Sequence, residues 1–213
     1  MTTTRATYHH GDLRNALIAA GAQLAERGEA IGVRAAAREV GVTPTAAYRH
    51  FADADELIGA VKTRALRTLT DAMNDQLAAI DTRGDAGQIA IRRLEGLGRA
   101  YVRVGVSEPG LYRVAFGPYR SVPLDGAEPP AYAMLLQALD DLVAAGIMAA
   151  DRRPLAEAAV WGSVHGLVCL VNDGRLGPLP EEAVDVALQR CVEMVVHGVA
   201  GGSGQAAAVA RPA

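Results

Sequence analysis

Residues 33–51, Val-Arg-Ala-Ala-Ala-Arg-Glu-Val-Gly-Val-Thr-Pro-Thr-Ala-Ala-Tyr-Arg-His-Phe, constrain the fold more than any other stretch of the 213-residue chain. Their pattern predicts two short helices joined by a tight turn. Val33, Ala36, Ala37 and Val40 fall on one face at helical spacing. Gly41 stands just past that helix, where the chain needs a left-handed residue that glycine adopts at little cost. Val42 plugs the corner between the two helices. Thr43 is a natural N-cap and Pro44 a natural first helical residue, so a second helix starts at once. From Thr45 to Phe51 the exposed side chains are short polar, small, aromatic and basic, while Ala47 and Phe51 face inward. A small, capped, basic-tipped helix after a glycine turn is the build of a recognition helix for DNA.

The pattern extends in both directions. A first helix is predicted over 11–27, with Leu13, Leu17, Ala20 and Leu24 as its apolar stripe and Gly28 as its stop. Beyond Phe51, Asp53 and Glu56 stand at capping-box spacing, with Asp in place of the usual Ser or Thr. A long helix then carries Leu57, Ile58, Val61 and Leu66 toward the head. On Gly41-Val42-Thr43, Tyr48-Arg49-His50-Phe51 and Glu56-Leu57, the unit 8–70 resembles the DNA-binding domain of TetR-family transcriptional regulators. One position departs from that family. A lysine that contacts the DNA backbone commonly stands two residues before the Glu-Leu pair, and here the residue is Ala54. Either one phosphate contact is missing, or the amide at the start of the long helix makes it alone.

A chain of this length forms one or two modest domains and buries a real core. Half of its residues are apolar but only 4% are aromatic, and alanine is abundant, which favours closely packed helices. No alternating strand run occurs, so the expected fold class is all-α. Cys169 and Cys191 lie in apolar helical segments without metal-like spacing. They are expected as two buried, reduced thiols rather than a disulfide. No signal core or membrane-length apolar stretch is present, so a cytoplasmic protein with no membrane partner is expected.

The net charge of −3 does not by itself suggest a nucleic-acid partner. Its distribution softens the objection: residues 1–72 hold nine Arg and Lys against eight Asp and Glu, while 73–213 hold twelve against sixteen. This pattern suits a local contact surface on an otherwise acidic body. Arg5, Arg14, Arg34, Arg38 and Arg49 can supply phosphate contacts. The expected DNA surface comprises Arg34, Thr43, Pro44, Thr45, Ala46, Tyr48, Arg49 and His50. Tyr48 and His50 are expected on phosphate, by resemblance to matching family positions. Thr43 caps its helix and presents its hydroxyl or amide to a phosphate. Thr45 and Ala46 are the expected base readers, with methyl groups suited to thymine. Arg49 either reads guanine or is a salt-bridged surface residue.

The second half reads as further helices over 85–106, 108–116, 130–145, 154–173 and 181–197. Residues 117–130, with four prolines, are expected to form an irregular loop over the ligand-facing side of the domain. The expected organisation is a helix-turn-helix head with an N-terminal arm (1–72), a helical ligand-binding and dimerisation domain (73–200) and a disordered tail (201–213). Trp161-Gly162-Ser163-Val164-His165-Gly166 looks like the Trp-His-Gly signature of one subset of TetR-family proteins, and the opening Tyr8-His9-His10-Gly11-Asp12-Leu13-Arg14 is similar to the same subset. The resemblance implies a homodimer, with the last two long helices of each subunit forming a four-helix bundle. Here those are the helix opening at Pro154 and closing at Asp173, and the one opening at Glu181 and closing at His197. Gly162 and Gly166 lie four apart; each costs roughly 1 kcal/mol in a helix interior relative to alanine, which close approach of another helix would offset.

Candidate pocket liners for a small-molecule effector are Leu111, Tyr112, Phe116, Met134, Leu135, Trp161, His165 and Cys169. The same residues read equally as ordinary core. Ser163, His165 and Asp173 do not make a hydrolase: residues two apart on a helix point roughly 200° apart, and no nucleophile elbow is present. His9, His10 and Asp12 read as a cap or phosphate contact rather than a metal site. No cofactor, metal or catalytic activity is expected. The function expected from the resemblance is a ligand-released homodimeric repressor of an inverted-repeat operator in double-stranded DNA. The alternatives are an activator on the same fold, or a helical ligand-binding protein or enzyme with a degenerate head.

Overall fold

The computed structural model describes residues 10–119, 121–127, 129–177 and 179–200. The expectations placed on residues 2–9, on the side chains of His10 and Asp12, and on the tail 201–213 lie outside the described residues. Among those described, the regular elements are α1 (His10–Glu26), α2 (Val33–Val40), α3 (Pro44–Tyr48), α4 (Ala54–Ala78), α5 (Ala86–Ser107), α6 (Pro109–Phe116), α7 (Ala131–Ala144), α8 (Ala156–Asn172) and α9 (Glu181–Ala200), with a 3-10 turn at Ala150–Arg152. The fold is all-α. An N-terminal helical bundle continues through the long α4 into a second helical unit. Contacts group Met1–Ala72 with Arg103–Ala131, and Met73–Val102 with Tyr132–Ala213.

The first unit is built on one core. Leu17 and Leu24 of α1, Ala36 and Ala37 of α2, Ala47 of α3, Phe51, Leu57 and Val61 of α4, and Val114 of α6 are all fully buried. The stripe on α1 follows from its spacing of three and four residues, which places one face toward the head. Gly41 adopts φ 76°, and the amide of Val42 closes on the Ala37 carbonyl at 2.9 Å, ending α2 as its sequence predicts. α6 crosses α1 at Gly110. A Cβ there would stand 2.8 Å from the Ala22 carbonyl oxygen, so the helices meet only because the side chain is absent.

Three local readings change in the structure. α3 is shorter than its pattern, because the amides of Arg49 and His50 turn back to the carbonyls of Ala46 and Ala47 at 3.3 and 2.9 Å. This tightens the last turn and drives Phe51 into the core. α8 starts at Ala156, since Leu155 sits at φ 62° and cannot be helical. Of the irregular segment 117–130, Tyr119, Val122 and Asp125 pack on the head rather than over a ligand-facing side. Tyr119 and Val122 lie against the head core, and Lys62 Nζ donates to the Val122 carbonyl at 3.0 Å. These apolar side chains decide its seat, which proline content could not reveal.

The second unit buries Leu94, Leu97 and Tyr101 of α5, Leu139 and Leu142 of α7, Met148, Val160, Val164 and Val168 of α8, and Leu188 and Val192 of α9. The valines of α8 repeat every four residues and form its inward stripe. Gly98 brings α5 close to α8 and α9: a Cβ there would lie 3.5 Å from Val192 and 3.7 Å from Val164. Arg153 fastens the start of α8 through Asp140 at 2.6 Å and Glu157 at 2.8 Å. The hydrogen bond to Asp140 is the main cause holding the Arg153 guanidinium above its ordinary pKa. Cys169 and Cys191 are half-buried and not joined in a disulfide, and burial pushes the Cys191 thiol up.

Candidate functional site

The head presents one built surface around α2 and α3. Thr43 Oγ1 accepts from the Ala46 amide at 3.3 Å, the N-cap that its sequence position predicts. With Ala47 and Phe51 fully buried, Thr43, Pro44, Thr45, Tyr48 and Arg49 are left exposed, while Ala46 and His50 are half-buried. Tyr48 is 43% exposed rather than packed away. Arg34, at the start of α2, is exposed as well. Neither Arg34 nor Arg49 forms a salt bridge among the described residues. Arg27 differs: it is consumed by Glu29 at 2.6 Å and Glu39 at 2.9 Å. Unneutralised guanidiniums flanking short polar side chains on a rigid helix pair suit an anionic duplex.

The start of α4 is capped reciprocally. Asp53 Oδ1 accepts from the Glu56 amide at 2.9 Å, and Glu56 Oε2 accepts from the Ala52 amide at 2.6 Å. The return bond lands one residue earlier than in a standard capping box. Ala54, in the first turn, packs against the head core. Arg14 is engaged inside the unit: its guanidinium lies 4.9 Å above the Phe51 ring and pairs with Asp125.

In the second unit the structure brings Trp161 and His165 together with two residues that sequence reasoning missed, Tyr101 and Tyr132. Trp161 Nε1 donates to the Tyr101 hydroxyl at 3.0 Å, and that hydroxyl lies 2.8 Å from His165 Nδ1. Tyr132 stacks at an angle on Trp161, with ring centroids 6.0 Å apart. An indole N–H only donates, so the tyrosine oxygen accepts from Trp161, and the direction of its bond with His165 follows the imidazole tautomer. Tyr101 is 5% exposed, and nothing in the local spacing of α5 marks its hydroxyl as half of this chain.

Burial lowers the His165 pKa below its ordinary value. A histidine depressed in the folded state contributes stability above its unfolded pKa, and that contribution is lost as pH falls through the folded pKa. Thermal stability is therefore expected to fall as pH drops below about 6.5, and His165→Gln to flatten that dependence. Melting curves between neutral and mildly acidic pH check it; an unchanged slope in the variant would remove His165 as the cause.

Of the other candidate liners, Leu111, Tyr112 and Phe116 belong to the first unit and Met134, Leu135 and Cys169 to the second. Leu111 is a buried member of the first unit's core, Phe116 packs against that core, and the Tyr112 and Phe116 ring centroids are 5.1 Å apart. Met134 and Leu135 are half-buried on α7, and Cys169 is half-buried on α8. A groove of about 520 Å³ opens elsewhere in the second unit, among Leu155, Val160, Ser163 and Met194. Ser163 Oγ donates to the Ala159 carbonyl at 2.8 Å, so it is not directed at His165 as a nucleophile would be. No group of three His, Cys, Asp or Glu residues able to hold a metal occurs among the described residues. No described helix is long and apolar enough to cross a membrane.

Residues 94–195 match the family described as Tetracyclin repressor-like, C-terminal domain. The fold of the chain as a whole resembles that of several solved structures. A protein of unknown function from Rhodococcus sp. RHA1 superposes with a TM-score of 0.75 at 22% identity, covering 92% of this chain and 100% of that one. A TetR family transcription regulator from Marinobacter aquaeolei VT8 gives 0.57 at 21% identity, covering 85% and 94%. A TetR variant from Acinetobacter baumannii AYE in complex with minocycline gives 0.58 at 18%, covering 88% and 94%. The fold is thus the TetR fold. No curated protein matches the chain.

Proposed function

We propose that this chain is a TetR-type, non-catalytic transcriptional regulator that binds an inverted-repeat operator as a homodimer and is released as a repressor by a small molecule. The observation that carries the reading is the α2–α3 surface. Its cap, turn and buried Ala47 and Phe51 hold Thr45, Tyr48 and Arg49 outward on a rigid base beside Arg34. In this arrangement Thr45 and Ala46 touch base edges, while Thr43, Tyr48 and His50 take phosphates. Two such heads would enter major grooves about 34–36 Å apart. The match of residues 94–195 supports the regulatory half of the reading.

Dimerisation is assigned to α8 and α9. Val186 and Met194 of α9 are 61% and 70% exposed, and Gly162 and Gly166 of α8 have no neighbour within 4 Å of where a Cβ would stand. Small residues and unpartnered apolar side chains on packed helices fit a self-complementary interface. The effector is assigned to the surroundings of Trp161 and His165. It favours release only by binding the DNA-incompetent state more tightly.

Selection of random duplex DNA by the purified protein tests the function. Recovery of one inverted repeat is the expected result. No enriched motif from a folded dimer at low salt would overturn the reading and favour a ligand-binding protein with a degenerate head. On the recovered operator, Tyr48→Ala is expected to weaken binding about tenfold, roughly 1.4 kcal/mol, with folding and dimerisation intact. Unchanged affinity in gel-shift titrations would remove Tyr48 from the contact surface.

A further inference from the structure

The stretch 121–125 between α6 and α7 is held by the head at more points than a surface loop requires. The Asp125 amide lies 3.0 Å from Thr63 Oγ1, and that hydroxyl donates to the Asp125 carbonyl at 3.2 Å. Thr63 is only 3% exposed, so its hydroxyl is committed to this segment. The Asp125 amide also faces the Gly59 carbonyl at 3.4 Å. Beside it, Lys62 Nζ holds the Val122 carbonyl at 3.0 Å. The Asp125 carboxylate pairs with Arg14 of α1, whose guanidinium covers the ring of Phe51.

Gly59 shows how close the approach is. A Cβ at that position would stand 2.5 Å from the Pro123 carbonyl oxygen, a backbone atom that cannot rotate aside. The stretch therefore touches α4 along Gly59, Lys62 and Thr63. Through Arg14 it reaches the aromatic ring that seats the end of the α3 segment. Segment 103–131 is continuous in sequence with α5 on one side and α7 on the other.

We propose that residues 121–125 are a brace of the DNA-binding head, with Asp125 as a positioning residue that acts on the α3 surface through Arg14 and Phe51. Withdrawal of the brace loosens α1 against α4 and lowers operator affinity. The connection between α6 and α7 then becomes a regulatory input to the head. Arg14 pairs with Asp125 and lies over the Phe51 ring, so its role in binding is to hold Phe51 in place. This inference rests on the DNA-binding reading for its affinity readout, but the brace itself is measured without DNA.

Gly59→Ala is the direct test, because alanine is the better helix former and its methyl expels the Pro123 carbonyl from α4. The full-length dimer is compared with wild type by hydrogen exchange and by titration of the selected operator. Faster exchange in α1 and α4, with at least tenfold weaker binding and unchanged dimerisation, is the expected result. Unchanged exchange in α1 and α4 would overturn the brace whatever the outcome with DNA. Faster exchange with unchanged operator affinity would overturn its role in recognition. If wild type selects no operator while exchange responds as expected, the DNA-binding reading has failed and the affinity claim falls with it.

A charge exchange separates positioning from direct contact. Asp125→Arg alone is expected to weaken binding several-fold by repelling Arg14, and Arg14→Glu combined with Asp125→Arg to restore most of it. A direct phosphate contact by Arg14 would leave the double variant as weak as Arg14→Glu alone, which overturns the positioning role.

Discussion

Phe51→Ala is expected to destabilise the head by about 3–5 kcal/mol, the range for truncating a buried phenylalanine, and to abolish operator binding. Phe51 is 0% exposed and sits among Leu17, Leu24, Leu57 and Val61. Its amide still bonds the Ala47 carbonyl at 3.2 Å, so it is the point where α3 is anchored to the core. The short α3 has no independent stability, since isolated helices of fewer than about 12 residues are marginal in water. Removing the ring leaves a cavity under α3 and strips Arg14 of the face it covers. The loss is a large part of a typical domain stability of about 5–15 kcal/mol. Denaturant unfolding of the variant checks it, together with operator titration. A loss below about 1 kcal/mol would mean that the site collapses and Phe51 does not seat the helix.

Introducing leucine at Gly162 and Gly166 is expected to raise the dimer dissociation constant at least a hundredfold, about 2.7 kcal/mol or more, without lowering helix content. Within the protomer both positions face open space, and nothing lies within 4 Å of where a Cβ would stand. A change from glycine to leucine in an exposed helix interior should stabilise by somewhat under about 1 kcal/mol. If a partner helix closes on this face, the same side chains obstruct it, and the sign reverses at the level of the dimer. Sedimentation equilibrium over a concentration series, with circular dichroism on the same samples, reads both effects. A dimer as tight as wild type would place the interface elsewhere on the protein and leave the exposed Val186 and Met194 unexplained.

How much was legible in the sequence follows the range of the interactions involved. The α2–α3 turn was readable because Gly41, Thr43, Pro44 and Val42 each act on partners within five residues. The same holds for Asp53 and Glu56 at the start of α4. Helix existence was also readable, because the apolar stripes of α1 and α8 repeat at spacings that only a helix brings to one side. Ends were less so: Leu155 in a left-handed conformation delays α8, and no leucine advertises that.

The candidate DNA surface follows from those local signals, since a helix pair with a known inward face leaves a known outward one. The effector candidates are spread over both units. Trp161 and His165 are four apart and meet by helical periodicity, but Leu111 belongs to the other unit's core because α6 lies on α1 at Gly110.

The sequence by itself determined the all-α class, the capped turn and the side chains it exposes, since each depends on backbone preferences and contacts a few residues apart. Only the tertiary structure decided that Tyr101 joins Trp161 and His165 across 60 and 64 residues, and that Asp125 holds Arg14 across 111. Those pairings depend on which helices pack together, where a missing Cβ at Gly59 or Gly110 sets the approach, and short-range propensity carries no record of that choice.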